Sequence, residues 1–494
     1  MIPVTQDLIH SIASERQIPL RVIPQIYELK SVPASLLPVK SPEENFIAVF
    51  TRERKTFLEL PWLHDFREVN GQYIMIYPFS FPNYQRLARE LPILKPSAAG
   101  LQVSLGTGDR LGLVSGAHLS AMKGYDIFPV IAQQSPRELV KTSRSFPDVL
   151  LGAAFGMLES GFSRPFGADA DHIKDETYLN QGIESGFSFY TLDASEVMNR
   201  QAFFLSEVEL GQAYQRLTPD QLQTYKRYID RTIRLNDDFQ IGFPENRLLP
   251  ILLAYDPVLH FVEKMNSILD ERCPVYDLEI SMDEGDALTS PEAHFFVTEE
   301  LHRRGIDFQS VAPKFPGSFE KGIDYVGDTK EFTRSLRKHA MIQRTVGGYR
   351  LSLHSGSDKF SIYSVFNQET EGLFHLKTSG TSWLKALETV ARHDPELFRK
   401  IYDLSRVELP ENRKAYVISV REQDIQLDLE SIPDKKLPDL FQNDKVRQLL
   451  HISYGSILRD FQSSLYQILF WEEDDHYHLV KEHIGKHLEL LLGK

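Results

Sequence analysis

From Leu101 onward the chain alternates short apolar runs with longer helix-like stretches, and this constrains the fold more than any other feature. Eight runs read as strands, at residues 101–105, 128–133, 165–170, 187–192, 275–280, 308–313, 350–354 and 373–377. Helix-like sequence separates them, including residues 136–145, 291–304, 328–344 and 381–392. Ser135-Pro136 and Ser290-Pro291 suit the cap and first turn of a helix. Strand–helix alternation implies parallel strands, and eight such units imply closure into a (β/α)8 TIM-like barrel. The expected division is an N-terminal α+β region over 1–96, a barrel over 97–394 and a mostly helical region over 395–494. A helical insertion is expected over about 194–272, where residues 217–235 carry a Thr218 cap and helical periodicity. In the first region residues 46–50 and 56–60 read as a strand pair, and Asn70-Gly71 as a hairpin turn before residues 73–77. Residues 414–421 read as one late strand-like run.

Four segments end a strand-like run in chemistry-bearing side chains and then turn through Gly or Ser. They are FGADADHIK (166–174), YDLEISMDE (276–284), RLSLHSGSDKF (350–360) and FHLKTSGTSW (374–383). A parallel barrel gathers such strand ends at one rim, where its active site lies. The chain therefore reads as an enzyme.

Composition narrows the class. At 494 residues, with 42% apolar and 25% charged residues, it is a soluble, enzyme-sized protein. A net charge of −14 argues against nucleic-acid or anionic-membrane partners, which need a basic surface. No apolar run approaches the roughly 20 residues of a membrane span, and residues 1–30 lack the pattern of a signal peptide. The single cysteine, Cys273, excludes an intramolecular disulfide and suits a reducing cytoplasm.

His172, His354 and His375 fall at or just past three of the strand ends. Three converging imidazoles suit one divalent ion such as Fe, Mn, Co, Ni or Zn. Asp169, Asp171 and Glu279 are the carboxylates placed to carry protons. Asp169 and Asp171 share a strand face, so Asp171 and His172 can serve one site only if the backbone bends near Ala170. Glu279 sits in an apolar stretch, where an inward carboxylate must be paired, metal-bound or protonated. Burial should favour its protonated form, with Asp171 ionised. Arg110, Lys174, Lys314, Lys359 and Lys377 follow strand ends and suit a substrate with a carboxylate, Lys359 and Lys377 foremost. His483 and His487 have helical metal-pair spacing but sit among charged residues, and read as a solvated face.

The stretches GTGDRLG, FGADADHIK, EISMDE, LHSGSDKFS and HLKTSGTSWLKAL together resemble the tagaturonate epimerase family of hexuronate catabolism. The resemblance implies a cytoplasmic isomerase that interconverts the keto-uronates D-tagaturonate and D-fructuronate with a divalent metal. It implies His172 as a metal ligand, with His354 and His375 the best remaining ligands. Asp171 would be the base and Glu279 the proton donor. The two sugars differ at a hydroxyl-bearing carbon β to the ketone. Inversion there needs carbon–carbon cleavage with re-addition, or relay of the keto group. The alternative from the residues alone is a metal-dependent isomerase or aldolase of another acidic or phosphorylated sugar. A non-catalytic sugar-acid sensor would lack one of these groups. The sequence does not set the oligomeric state.

Overall fold

A computed structural model describes residues 9, 12, 19–53, 60, 64–69, 71–283 and 287–493. Eight parallel strands close in sequence order into a barrel. They are β1 (Ser104–Thr107), β2 (Phe128–Gln134), β3 (Gly167–Ile173), β4 (Phe189–Asp193), β5 (Asp277–Met282), β6 (Ser310–Pro313), β7 (Arg350–Leu353) and β8 (Phe374–Thr378). Each expected run holds one strand, displaced by no more than a few residues. The displacements follow from hydrophobicity, because apolar residues also fill the turns leading into strands.

Alternation along the strands decides what lies inside. Leu105, Ala168, Ala170, Leu278, Ile280, Leu351 and Leu376 belong to the main apolar core. Their strand neighbours Ser104, Asp169, Asp171, Glu279, Ser352, His375 and Lys377 are buried as well. With a side-chain period of 2, one face packs on the helices and the other fills the barrel. The upper interior is therefore polar. Its floor is apolar, made by Phe128, Val130 and Phe189. At Gly106 an added Cβ would collide with the Gln133 carboxamide, so glycine there admits Gln133 and His375 to the lumen.

Helix Pro136–Thr142 and helix Pro291–Arg303 are capped by Ser135 and Ser290, each side chain accepting a backbone N–H three residues on. The insertion departs from its expected form. The helix read over 217–235 ends at Tyr228, and Thr232–Arg234 pairs antiparallel with Gln240–Gly242. β-branched Thr232 and Ile233 favour that hairpin over another helical turn. A long helix, Glu245–Arg272, then returns the chain to β5.

In the N-terminal region strand Asn45–Thr51 pairs with Ala34–Lys40 on one side and Gln72–Pro78 on the other. The strand read over 56–60 lies mostly outside the described residues. Asp65–Val69 and Gln72–Pro78 pair with Val69 opposite Gln72, and Gly71, with φ +72°, precedes the second strand; Asn70 of the expected turn lies outside the described residues. Residues 414–421 form no strand. A single 3₁₀ turn, Arg413–Ala415, opens an irregular stretch there. Three helices, Asp444–Ile452, Tyr454–Trp471 and Glu473–Leu492, end the chain. The last of them packs against helices Ser115–Met122 and Phe360–Thr370, and joins the barrel's core through Val480, Ile484, Leu488 and Leu491. Among the described residues no helix is long and apolar enough to cross a membrane.

Candidate active site

Lys377 of β8 organises the rim end of the lumen. Its ammonium lies 2.7 Å from Asp169, 2.8 Å from Asp171 and 2.8 Å from Glu279, and donates to the Thr191 hydroxyl. The four residues come from β3, β4 and β5, and all are buried. An unpaired carboxylate here would be too costly to bury, so the lysine and the carboxylates require one another. Burial opposes the lysine's charge, but Asp169, Asp171 and Glu279 raise its pKa well above the ordinary value.

The carboxylates divide. Burial raises Asp169 to about 7, against Lys377 and with help from the charges of Asp171 and Glu279. Burial also pushes Asp171 up, but His172 and Lys377 hold it well below the usual range. For Glu279 the same contest is won by Lys377 and His354, and its carboxyl is held well below the usual range. This corrects the sequence expectation, in which burial left Glu279 protonated. Burial acts as supposed, but two cations within bonding distance outweigh it. The carboxyl whose pKa rises is Asp169.

Just above this cluster His172 and His354 face one another with ring centroids 5.1 Å apart. The bend needed at the end of β3 exists, two residues later than expected. His172 has φ +56°, and the β3–β4 register shifts between Ala170 and Ile173. That irregularity turns His172 toward the same site as Asp171. His172 Nδ1 is bonded to Asp171 Oδ1 at 2.8 Å, and His354 Nε2 to Glu279 Oε1 at 2.6 Å. If each tied nitrogen carries the proton, the lone pairs sit on His172 Nε2 and His354 Nδ1. A carboxylate behind each imidazole is the arrangement that orients metal-binding histidines.

His354 Nδ1 is buried and 2.9 Å from Asp283 Oδ1, yet it makes no aligned hydrogen bond. Asp283 Oδ1 also accepts from Ser281 Oγ at 2.7 Å. Ligating atoms of His172, Asp283 and His354 all lie within 4.8 Å of one another. Asp283 and Glu279 lift His354 to about 9 against burial, and His354 holds Asp283 down to about 2 although burial raises it. The spot attracts positive charge: without an ion His354 takes it up as a second proton, which a metal at Nδ1 would have to displace. Two imidazoles and a carboxylate form a donor set that first-row divalent ions accept.

His375 stands apart from this group. It is one layer deeper on β8, fully buried, bonded through Nδ1 to Ser104 Oγ at 2.8 Å and 5.2 Å from the Phe189 ring. Burial keeps its imidazole well below the ordinary pKa. Its position follows from strand parity: His375 precedes the rim residue Lys377 by two, whereas His354 follows the end of β7. Asp283, just past β5, takes the place expected for His375. The signal was present in YDLEISMDE, where Asp283 follows the strand end as His354 does.

The five expected substrate cations also scatter. Arg110 is buried, bonded to Glu138 at 2.9 Å and to the His451 carbonyl at 2.9 Å. Lys359 is buried and donates to the carbonyls of Glu320, Ile323 and Ser357. Lys377 serves the carboxylates. Lys174 is paired with the exposed Glu196 at 2.9 Å and lies 3.5 Å from the buried carboxylate of Asp193. Only Lys314 lines the cavity above the site, a space of about 390 Å³ that includes Asp283, His354, Ser355, Lys321, Arg137 and Tyr416 in its wall. A cavity of this size fits a small organic ligand. Lys321 escaped sequence reasoning because it lies eight residues beyond β6, outside the four motifs.

A family model described as tagaturonate epimerase matches residues 30–491. A tagaturonate/fructuronate epimerase of Thermotoga maritima is 42% identical over 418 residues, covering 83% of this chain and 85% of that protein. The crystal structure of a fructuronate-tagaturonate epimerase from Cohnella laeviribosi superimposes with a TM-score of 0.90 at 32% identity, covering 98% of this chain and 99% of that one. A glycerol complex of that protein gives 0.90 as well, at the same identity and 99% of both chains.

Proposed function

The chain belongs to the tagaturonate epimerase family, and from that premise we propose that it interconverts D-tagaturonate and D-fructuronate at the barrel rim, with one divalent cation held by His172, His354 and Asp283. Membership makes it an isomerase of sugar acids. The observation that carries the metal reading is the pair of carboxylate-backed histidines meeting Asp283 across one small space. A divalent cation there supplies Lewis-acid polarisation of the substrate ketone.

The surrounding residues handle protons. Asp171 is ionised, lies beside His172, and is the proposed base at its carboxylate oxygens, taking a proton from the substrate hydroxyl or from the carbon next to the ketone. Cleavage with re-addition and relay of the keto group both begin with such a removal. Glu279 is the proposed acid partner, but as a carrier rather than a store. With its carboxyl held low, it must take up a proton before giving one, and Thr191 Oγ1, 2.9 Å from Asp169 and 3.4 Å from Glu279, links it to the raised carboxyl of Asp169. Asp169, raised to about 7, completes the network as a group able to hold or release a proton near neutrality. Lys377 holds the three carboxylates together and fixed, which preorganises the site.

The test is to strip the protein with chelator, reload it with Mn²⁺, Ni²⁺ or Zn²⁺, and follow D-tagaturonate by NMR. D-Fructuronate should appear only with the reloaded protein. Undiminished turnover by protein shown to be metal-free would sink the metal reading, and no epimer with any metal would sink the substrate reading.

A further inference from the structure

Of the cations around the cavity, Lys321 is the one whose surroundings call for an anion. It is half-buried in the cavity wall, and its ammonium donates to Ser355 Oγ at 2.9 Å. Among the described residues it forms no ion pair. Arg137, Lys314 and Asp283 line the same cavity. Burial and the charge of Arg137 lower the Lys321 pKa, and the more distant charge of Glu138 offsets this only in part.

The loop that carries Lys321 is fixed from several sides. Lys359 donates to the carbonyls of Glu320 at 2.9 Å and Ile323 at 2.5 Å, bracketing it. Arg447 donates to the Gly322 carbonyl at 2.7 Å and to Asp358 at 2.7 Å. Gly322 has φ +79° and lies so close to the Arg447 backbone that a Cβ would be 3.2 Å from its carbonyl oxygen. The Glu320 carboxylate accepts from the Ser419 N–H at 2.6 Å and from Gln448 at 2.5 Å. A long flexible side chain gains most as a ligand group when its backbone is already held. Lys359 thus positions the lysine that meets the ligand.

Ser355 also sets the distance. It follows His354 directly in the chain, so the hydroxyl that holds the Lys321 ammonium belongs to the neighbour of a proposed metal ligand, on the wall of the same cavity. A keto-uronate whose ketone met the proposed cation beside His354 would carry its carboxylate a few carbons away, within the span of this cavity. We propose that Lys321, held by Ser355 and the Gly317–Val326 loop, binds the substrate carboxylate and sets the preference for sugar acids over neutral sugars. This rests on the epimerase reading above.

The experiment measures KM for D-tagaturonate, and Ki for neutral D-tagatose as a competitive inhibitor, in the metal-loaded wild type, K321Q and K321R. Circular-dichroism melts verify that each variant is folded. A charge-assisted contact to a carboxylate corresponds to about 10- to 150-fold in affinity. K321Q should raise KM for the uronate by that factor, leave Ki for the neutral sugar within about 2-fold, and K321R should recover part of the loss. Equal losses for both sugars, or no loss for the uronate, would overturn the assignment while leaving the epimerase reading intact. A folded, metal-loaded wild type that fails to turn over D-tagaturonate would overturn the epimerase reading and this inference with it.

Discussion

Two groups of histidine and aspartate in this molecule pass the same geometric test for a metal site, and only one is built like one. At the rim, His172, His354 and Asp283 bring ligating atoms within 4.8 Å of one another, and so do Asp358, His483 and His487 at the docked terminal helix. The rim histidines are tied from behind, by Asp171 and Glu279, and Asp283 meets His354 Nδ1 without an aligned bond. The second group is closed on itself. Asp358 takes His483 Nε2 at 2.6 Å on one oxygen and Arg447 at 2.7 Å on the other. His487 donates from Nδ1 to the His483 carbonyl at 2.8 Å and accepts the Asp358 N–H on Nε2 at 3.2 Å. Donor count does not make a metal site. What matters is whether the remaining lone pairs already have protein partners.

The largest expected difference between the groups is in metal content. His172→Ala and His354→Ala should each lose the bound ion and at least ~10²-fold in kcat/KM. His483→Ala and His487→Ala should retain it, as elemental analysis of purified protein will show. Metal retained in the rim variants, or lost in the helix variants, would reverse the comparison.

Stability should show the opposite pattern. Asp358→Asn leaves Arg447 and His483 without their buried counter-charge, so unfolding in urea should become easier by about 3–5 kcal/mol. Metal stoichiometry should not change. A loss below about 1 kcal/mol would mean the junction contributes no more than a surface ion pair.

The groups also differ in the sign of their pH dependence. Burial raises Asp358, but His483, His487 and Arg447 together hold its carboxyl below the unfolded value of about 3.9. Its contribution is therefore present above pH ~4 and lost as pH falls. Asp169, raised to about 7 mainly by burial, contributes in the reverse sense. Its stabilisation is present below pH ~4 and lost as pH rises toward 7, by up to roughly 4 kcal/mol. In chelated protein, the stability of wild type relative to Asp169→Asn should thus fall between pH 4 and 7, while that relative to Asp358→Asn should not. A flat difference for Asp169→Asn would show that its carboxyl is ionised throughout.

The smallest effect is expected outside both groups. Lys174 is partly exposed, paired with the exposed Glu196 and more loosely with the buried Asp193, so Lys174→Ala should change stability by about 1 kcal/mol and KM for D-tagaturonate by less than about 2-fold. A tenfold rise in KM would restore Lys174 as a substrate contact.

Local chemistry marked much of this in the sequence. The βα alternation wrote out eight strands, because a parallel strand covered by helices needs apolar residues at fixed intervals. Ser-Pro pairs marked two helix starts. His172, His354, Asp171 and Glu279 were visible because strand ends in a barrel converge wherever the strands lie. The residues that misled were those whose partners are far along the chain. His483 and His487 look solvated beside Lys481, Glu482 and Lys486, yet the terminal helix turns them onto Asp358, and His487 is fully buried. Lys359 looks like a substrate contact until the Glu320 and Ile323 carbonyls surround it.

The sequence by itself determined the barrel, the rim and the stock of histidines and carboxylates there, since periodicity and strand ends are local properties. Only the tertiary structure decided that Asp283 rather than His375 meets His172 and His354, that Glu279 is ionised while Asp169 is the raised carboxyl, and that Lys321 faces the cavity. Which layer of the lumen a side chain occupies depends on strand register, and what charge it carries depends on neighbours at 3 Å supplied by other strands. Neither quantity is a property of a segment read alone.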